Sequence, residues 1–184
     1  MNQLNVQLPS VSAEAQVTLD LVQKKIGRVP NMYKVMAQSN AVLSAYYSFS
    51  SALSTGALPT QLAEKIAIAV AEYNNCAYCL SAHQFLGTKA GLSSNEIEET
   101  RSFKSDNIKE QTCLLFVKNM LVNPLNISVD DKRTLIDAGF TEGEVLEIIG
   151  NTIRNMFTNY LNLVSDTEID WPLIVTPYNI ADEN

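Results

Sequence analysis

Apolar residues along this chain recur at three- and four-residue spacing, the period of a helix with one buried face. No convincing run alternates in the two-residue rhythm of a strand, and no Asn-Gly or Asp-Gly marks a hairpin. The pattern predicts an all-α fold. Helix punctuation places the elements. A first helix spans about Ser12 to Ile26, ended by Gly27, with Pro30 preventing continuation. A short one covers about Asn31 to Gln38. Asn40 caps the next, which stops at Gly56. Pro59 suits a first helical turn, and the helix it opens contains "KIAIAVA". Lys65 apart, that stretch is apolar all round, the mark of a central, surrounded helix.

Cys76 to Ala90 forms the next helix, ended by Gly91. Ser93 and Glu96 make a capping box for the one after it. Asn107 starts another, closed by Pro124. Ser128 caps a helix ending at Gly139, and Thr141 with Glu144 repeats the capping box before a long helix to about Val164. The segment from Ser165 onward, with Asp170-Trp171-Pro172, reads as extended, with Trp171 anchoring it on the body or on a neighbouring subunit. "AGLSSNEIEE" at Ala90 and "AGFTEGEVLE" at Ala138 share one grammar, which hints at a helical unit used twice.

The chain has 184 residues, 46% apolar and 18% charged, the composition of an ordinary globular protein. Residues 1-172 read as one domain and residues 173-184 as a C-terminal tail. A net charge of −7 and a pI near 4.7 argue against nucleic acid and anionic membrane as partners. No apolar run reaches membrane-spanning length, and "MNQLNVQLPS" lacks the features of a secretory signal. A cytoplasmic location is expected. There a close cysteine pair is more often catalytic, redox-sensing or metal-binding than structural.

Candidate chemistry is concentrated in "YNNCAYCLSAH", Tyr73 to His83, which holds two of three cysteines and the only histidine. On a helix, Cys76 and Cys79 place their sulfurs one turn apart on one face. Three readings compete. Zinc needs four ligands, or three and an open position: Cys76, Cys79 and His83 could supply three, and Cys113 a fourth only if the fold brings it there, its setting "TCLLFV" looking like core. A purely structural pair of buried thiols is the second. A working dithiol is the third, favoured by three features. Asn74-Asn75 suggests a chain break that puts the pair in a first helical turn, where free N–H groups stabilise a thiolate. His83 follows Cys79 by four residues and so can pair with its thiolate or take its proton. Glu64 sits on the nearly all-apolar helix, and turned inward it could exchange protons. Glu72, near that helix's end, is expected to face water.

"EKIAIAVAEYNNCAYCLSAH" resembles the AhpD-like alkylhydroperoxidases of the carboxymuconolactone decarboxylase family. The shared pattern is a glutamate, eleven intervening residues, then C-x-x-C-x-x-x-H: Glu64, Cys76, Cys79 and His83. "GRVPNMYKVMAQS", "GALPTQLAEKIAIAVAE", "KAGLSSNEIE" and "NTIRNMFTNYLN" resemble its peroxidase-related branch. The resemblance implies an AhpD-like helical bundle forming a homo-oligomer, a dimer, trimer or hexamer. It implies thiol-dependent reduction of hydroperoxides, with Cys79 peroxidatic, Cys76 resolving, and His83 with Glu64 as proton relay. Helix-dipole logic alone favours Cys76 as the more acidic thiol, whereas His83 favours Cys79. A charge partner in contact outweighs a solvent-screened helix end, which agrees with the family's assignment. The best-known family pattern has histidine before the second cysteine; here Tyr78 stands there, a poor base at neutral pH. Members without the cysteines include lactone decarboxylases, an activity the retained pair argues against.

The expected cycle needs no metal, flavin or haem. An external dithiol or a lipoyl carrier would reduce the Cys76–Cys79 disulfide. Two rivals remain: a general thiol–disulfide oxidoreductase or redox sensor, and a non-redox decarboxylase-like or ligand-binding helical oligomer.

Overall fold

A computed structural model describes residues 11–172; the expected tail over 173–184 lies outside the described residues. Among the described residues there are nine α-helices, one 3-10 turn and no strand. The helices are α1 (Ala13–Ile26), α2 (Asn31–Met36), α3 (Asn40–Leu53), α4 (Thr60–Tyr73) and α5 (Ala77–Lys89). They continue as α6 (Ser94–Arg101), α7 (Ile108–Val122), α8 (Val129–Asp137) and α9 (Glu142–Val164), with the 3-10 turn at Pro124–Asn126.

The ends follow the expected punctuation. Gly27, Gly91 and Gly139 each close a helix at positive φ (85°, 98° and 93°), where a side chain would be strained. Ser93 with Glu96 and Thr141 with Glu144 form the expected capping boxes, and Ser128 forms one with Asp131. Two assignments shift by one position. Ser39, not Asn40, caps α3 by accepting the Val42 N–H, and Pro59 stands just before the first turn of α4. The two junctions of the sequence repeat share one geometry, with Leu92 N–H bonded to the Gly87 carbonyl and Phe140 N–H to that of Leu135. The helices that follow them differ, eight residues in α6 against 23 in α9.

α4 is the centre. Ile66 through Ala71 are wholly buried, and α5, α6, α7 and α9 pack around them. Cutting a fully buried isoleucine such as Ile66 back to alanine costs roughly 2–5 kcal/mol. Lys65, on this same helix, is buried as well, held between Glu96 at 3.0 Å and Glu110 at 2.6 Å. Glu72 does not face water as expected: Arg101 grips its carboxylate at 2.8 and 3.2 Å. Both departures have one cause. The partners come from α6 and α7, and one buried charge is tolerable only when another meets it.

Three apolar clusters result. One joins α4, α7, α8 and α9 through Ile66, Leu114, Val117, Leu135 and Ile148. A second surrounds the start of α5 with Ile68, Cys76, Tyr78, Cys79 and Leu80, against which Ile169 and Trp171 pack. The third joins α1, α2 and α3 through Leu19, Val22, Met36 and Leu43. Cys113 belongs to the first cluster and the paired cysteines to the second, so it is a core residue, as expected.

Candidate active site

The turn between α4 and α5 is three residues long and builds the site. Within it Asn75 stands at φ 53°, a left-handed conformation that asparagine tolerates. Cys76 N–H then reaches back to the Ala71 carbonyl at 2.9 Å while its own side chain begins α5. The Cys76 sulfur accepts the Cys79 N–H at 3.3 Å, the place a serine or aspartate oxygen takes at an ordinary helix start. Cys76 is thus the cap and Cys79 lies in the first turn. Their Cα atoms are 5.3 Å apart and their sulfurs stand at disulfide distance.

One turn further on, His83 Nδ1 and Glu64 Oε2 lie 2.8 Å apart, with both side chains mostly buried. With the carboxylate ionised, Nδ1–H is the donor, which leaves Nε2 as the basic nitrogen. α5 can lie close enough to α4 for this contact because Gly87 faces α4: a Cβ there would meet Leu92 at 3.0 Å and Ile68 at 3.3 Å. The inward glutamate is therefore paired with the only histidine across the two helices.

The imidazole makes no hydrogen bond to either sulfur among the described residues; the Cys79 sulfur receives one from Asn162 Nδ2 at 3.3 Å. Sequence reasoning assigned no role to Asn162. The buried face of α9 carries Asn151, Thr152, Asn155, Thr158, Asn159 and Asn162. Asn151, Thr152 and Asn155 bond back to their own helix carbonyls at 2.8 Å. Asn159 takes Asn74 Nδ2 at 3.0 Å, which seats α9 against the turn before Cys76. Asn162 instead reaches across to sulfur. Asn151, Asn155, Asn159 and Asn162, whose three- and four-residue steps put them on one face of α9, were the available signal.

Tyr78 has a different place from that of a relay base. Its hydroxyl donates to Asp170 Oδ1 at 2.9 Å and accepts from Met32 N–H and Trp171 Nε1–H, each at 3.2 Å. Burial pushes its pKa well above the usual phenol value. All its hydrogen-bonding capacity is used in fastening residues 170–171 to the body, where Arg28 lies 4.2 Å over the Trp171 ring.

A cavity of about 290 Å³ opens beside these groups. Cys79, His83, Glu64 and Asn162 line it, together with Tyr33, Tyr46, Tyr47, Trp171 and Arg154; Cys76 does not. All four residues expected from the sequence are brought together, but only one of the two sulfurs meets the cavity.

Comparisons agree with this architecture. Residues 40–105 match the sequence profile described as Carboxymuconolactone decarboxylase family. No curated protein matches the chain. Among solved structures, the chain resembles an uncharacterized peroxidase-related protein with an alkylhydroperoxidase AhpD core from Ralstonia eutropha JMP134. That pair shares a TM-score of 0.80 and 20% identity over 89% of this chain and 90% of the other. An uncharacterized peroxidase-related protein from Silicibacter sp. TM1040 gives 0.78 and 24% over 90% of each chain. The debrominase Bmp8, as a cysteine-to-alanine variant in complex with 2,3,4-tribromopyrrole, gives 0.73 and 18% over 92% of this chain and 94% of the other. At such identities these likenesses speak for the fold.

Proposed function

We propose that this chain, with an AhpD-like fold and a match to the Carboxymuconolactone decarboxylase family profile over residues 40–105, reduces hydroperoxides with the Cys76–Cys79 pair. The observation that carries this reading is the asymmetry of the two sulfurs: Cys79 lines the cavity with His83 and Glu64, and Cys76 lies behind it. Cys79 is then the sulfur that meets substrate, and Cys76 the one that resolves.

In the reduced enzyme His83, held by Glu64, accepts the Cys79 thiol proton, and the Asn162 amide steadies the thiolate. The thiolate attacks the outer oxygen of R–O–OH. The S–O bond forms, the O–O bond breaks, and the departing alkoxide takes the proton from His83 to leave as alcohol. Cys79 is now a sulfenic acid. The Cys76 thiol attacks its sulfur, the hydroxyl leaves as water with the Cys76 proton, and the disulfide closes. A dithiol reductant returns both cysteines to thiols by exchange and is itself oxidised to a disulfide.

Burial bears on the reductant and on the rival thiol–disulfide reading. Cys76 and Cys79 are 2% and 3% exposed. A slender dithiol such as a lipoyl arm fits that access better than a folded protein's disulfide does. We assign the physiological reductant to that class and propose that the protein acts as a homo-oligomer in the cytoplasm. No helix among the described residues is long and apolar enough to cross a membrane.

The test is consumption of cumene hydroperoxide with dihydrolipoamide as reductant. Cys79→Ser should abolish turnover; turnover at the native rate in that variant removes the proposal. Since the debrominase neighbour shows that the fold hosts other chemistry, bromide release from 2,3,4-tribromopyrrole belongs in the same assay, and none is expected.

A further inference from the structure

Arg154 is a charged residue of the cavity that the chemistry above does not use. It projects from α9, half-buried, into the same space as Cys79. Among the other buried or half-buried cations, Arg28 meets Asp170, Lys65 meets Glu96 and Glu110, Arg101 meets Glu72 and Glu98, Lys109 meets Glu144, and Lys34 donates to the Asn31 side-chain oxygen. Arg154 has no carboxylate partner, hydrogen-bond acceptor or stacked aromatic face among the described residues. A guanidinium carries five donors in a fixed fork suited to a carboxylate, and leaving them unmatched near the interior is costly.

Its surroundings narrow the choice of partner. Lys25, itself exposed, also lines the cavity and among the described residues meets only Ser54 Oγ, at 3.4 Å. The cavity's carboxylate, Glu64, is engaged with His83. So a protein of net charge −7 has a cavity whose free charges are positive. Its walls are aromatic: Tyr33 and Tyr46 have ring centres 5.7 Å apart, and Trp171 stands near the cysteines. Arg154, Thr158 and Asn162 follow at four-residue steps on α9 and all face the cavity. Eight residues of helix rise about 12 Å. The guanidinium's helix turn is therefore two turns away from the asparagine that touches sulfur, with apolar and hydroxyl groups between.

We propose that this cavity takes small organic anions, with an aromatic or branched apolar body against the tyrosines and a carboxylate on Arg154. Resting on the peroxidase reading, the substrate class becomes carboxylate-bearing hydroperoxides, with the O–O bond at Cys79. A volume near 290 Å³ is at the small end for ligand sites, which excludes full enclosure of a long lipid chain.

The experiment measures binding without turnover, by calorimetry on the oxidised protein, with 4-isopropylbenzoate against 4-isopropylbenzyl alcohol. The two share a body and differ in charge. The carboxylate should bind roughly ten-fold tighter or better, the range of a charge-assisted hydrogen bond. Arg154→Gln should bring its affinity down to the alcohol's, and Arg154→Lys should keep part of the preference because the charge stays and the fork is lost. Circular dichroism checks that both variants fold. Equal affinities in the native protein, no heat from either compound, or an undiminished preference in Arg154→Gln would each overturn the proposal. Such a result would leave peroxide reduction by the cysteines intact, and failure of peroxide turnover would leave a positive binding result standing.

Discussion

Removing one oxygen atom, in Tyr78→Phe, separates a fastening role for this residue from a proton-transfer role. The change deletes three hydrogen bonds at once: to Asp170 at 2.9 Å, and from Met32 N–H and Trp171 Nε1–H at 3.2 Å. Each is worth about 0.5–1.5 kcal/mol net. Water can reach these half-buried partners and replace part of the loss, and Asp170 keeps Arg28 and the Asn31 N–H, each at 3.0 Å. The expected cost is therefore about 2 kcal/mol, toward the low end of the sum. Residues 170–171 should loosen first. Trp171 is the chain's only tryptophan, so its emission reports on that segment directly. Urea unfolding should show the lower midpoint, and native emission should shift to the red as the indole is released toward water. If both stay at native values while peroxide turnover collapses, Tyr78 is a proton carrier and the fastening argument fails.

Other outcomes follow from the same geometry. Asn162→Ala removes the donor to Cys79; a hydrogen bond to a charged group is worth about 1.5–3 kcal/mol, so the thiolate's absorbance titration should move up by roughly one pH unit or more. Glu96 is held down to a pKa of about 2, chiefly by the Ser93 backbone N–H and then by Lys65. A depressed carboxylate stabilises the fold above its unfolded pKa, so acid titration of stability should fall between about pH 4.5 and 2. Glu96→Gln should flatten that fall. Burial pushes the Cys113 thiol up to about 12, so a small alkylating agent at neutral pH should modify reduced Cys79 and leave Cys113 untouched until the protein unfolds.

What was legible in the sequence is what local physics determines. Gly27, Gly91 and Gly139 announce left-handed stops, and Ser93 with Glu96 announces a start, because each acts within a few residues. The Glu64–His83 pair was legible for a related reason. Two regular helices joined by a short turn carry spacing into space, and the motif's spacing matched a known pattern. Partners distant in sequence were not legible. Lys65 meets carboxylates 31 and 45 residues away, and Tyr78 meets an aspartate 92 residues away. Asn162 reaches its sulfur across 83 residues, from a helix face that reads as merely polar. The histidine's expected contact with Cys79 is replaced by this amide, which leaves the imidazole to act on protons through the cavity rather than by holding the thiolate itself.

Peroxide oxygen should land on Cys79, and trapping the sulfenic acid shows whether it does. Cys76→Ser, reduced and treated with one equivalent of cumene hydroperoxide in the presence of dimedone, should give one adduct, which peptide mass spectrometry places on Cys79. Cys79→Ser under the same conditions should give none. An adduct on Cys76 in the second variant, formed as fast as that on Cys79 in the first, would contradict it.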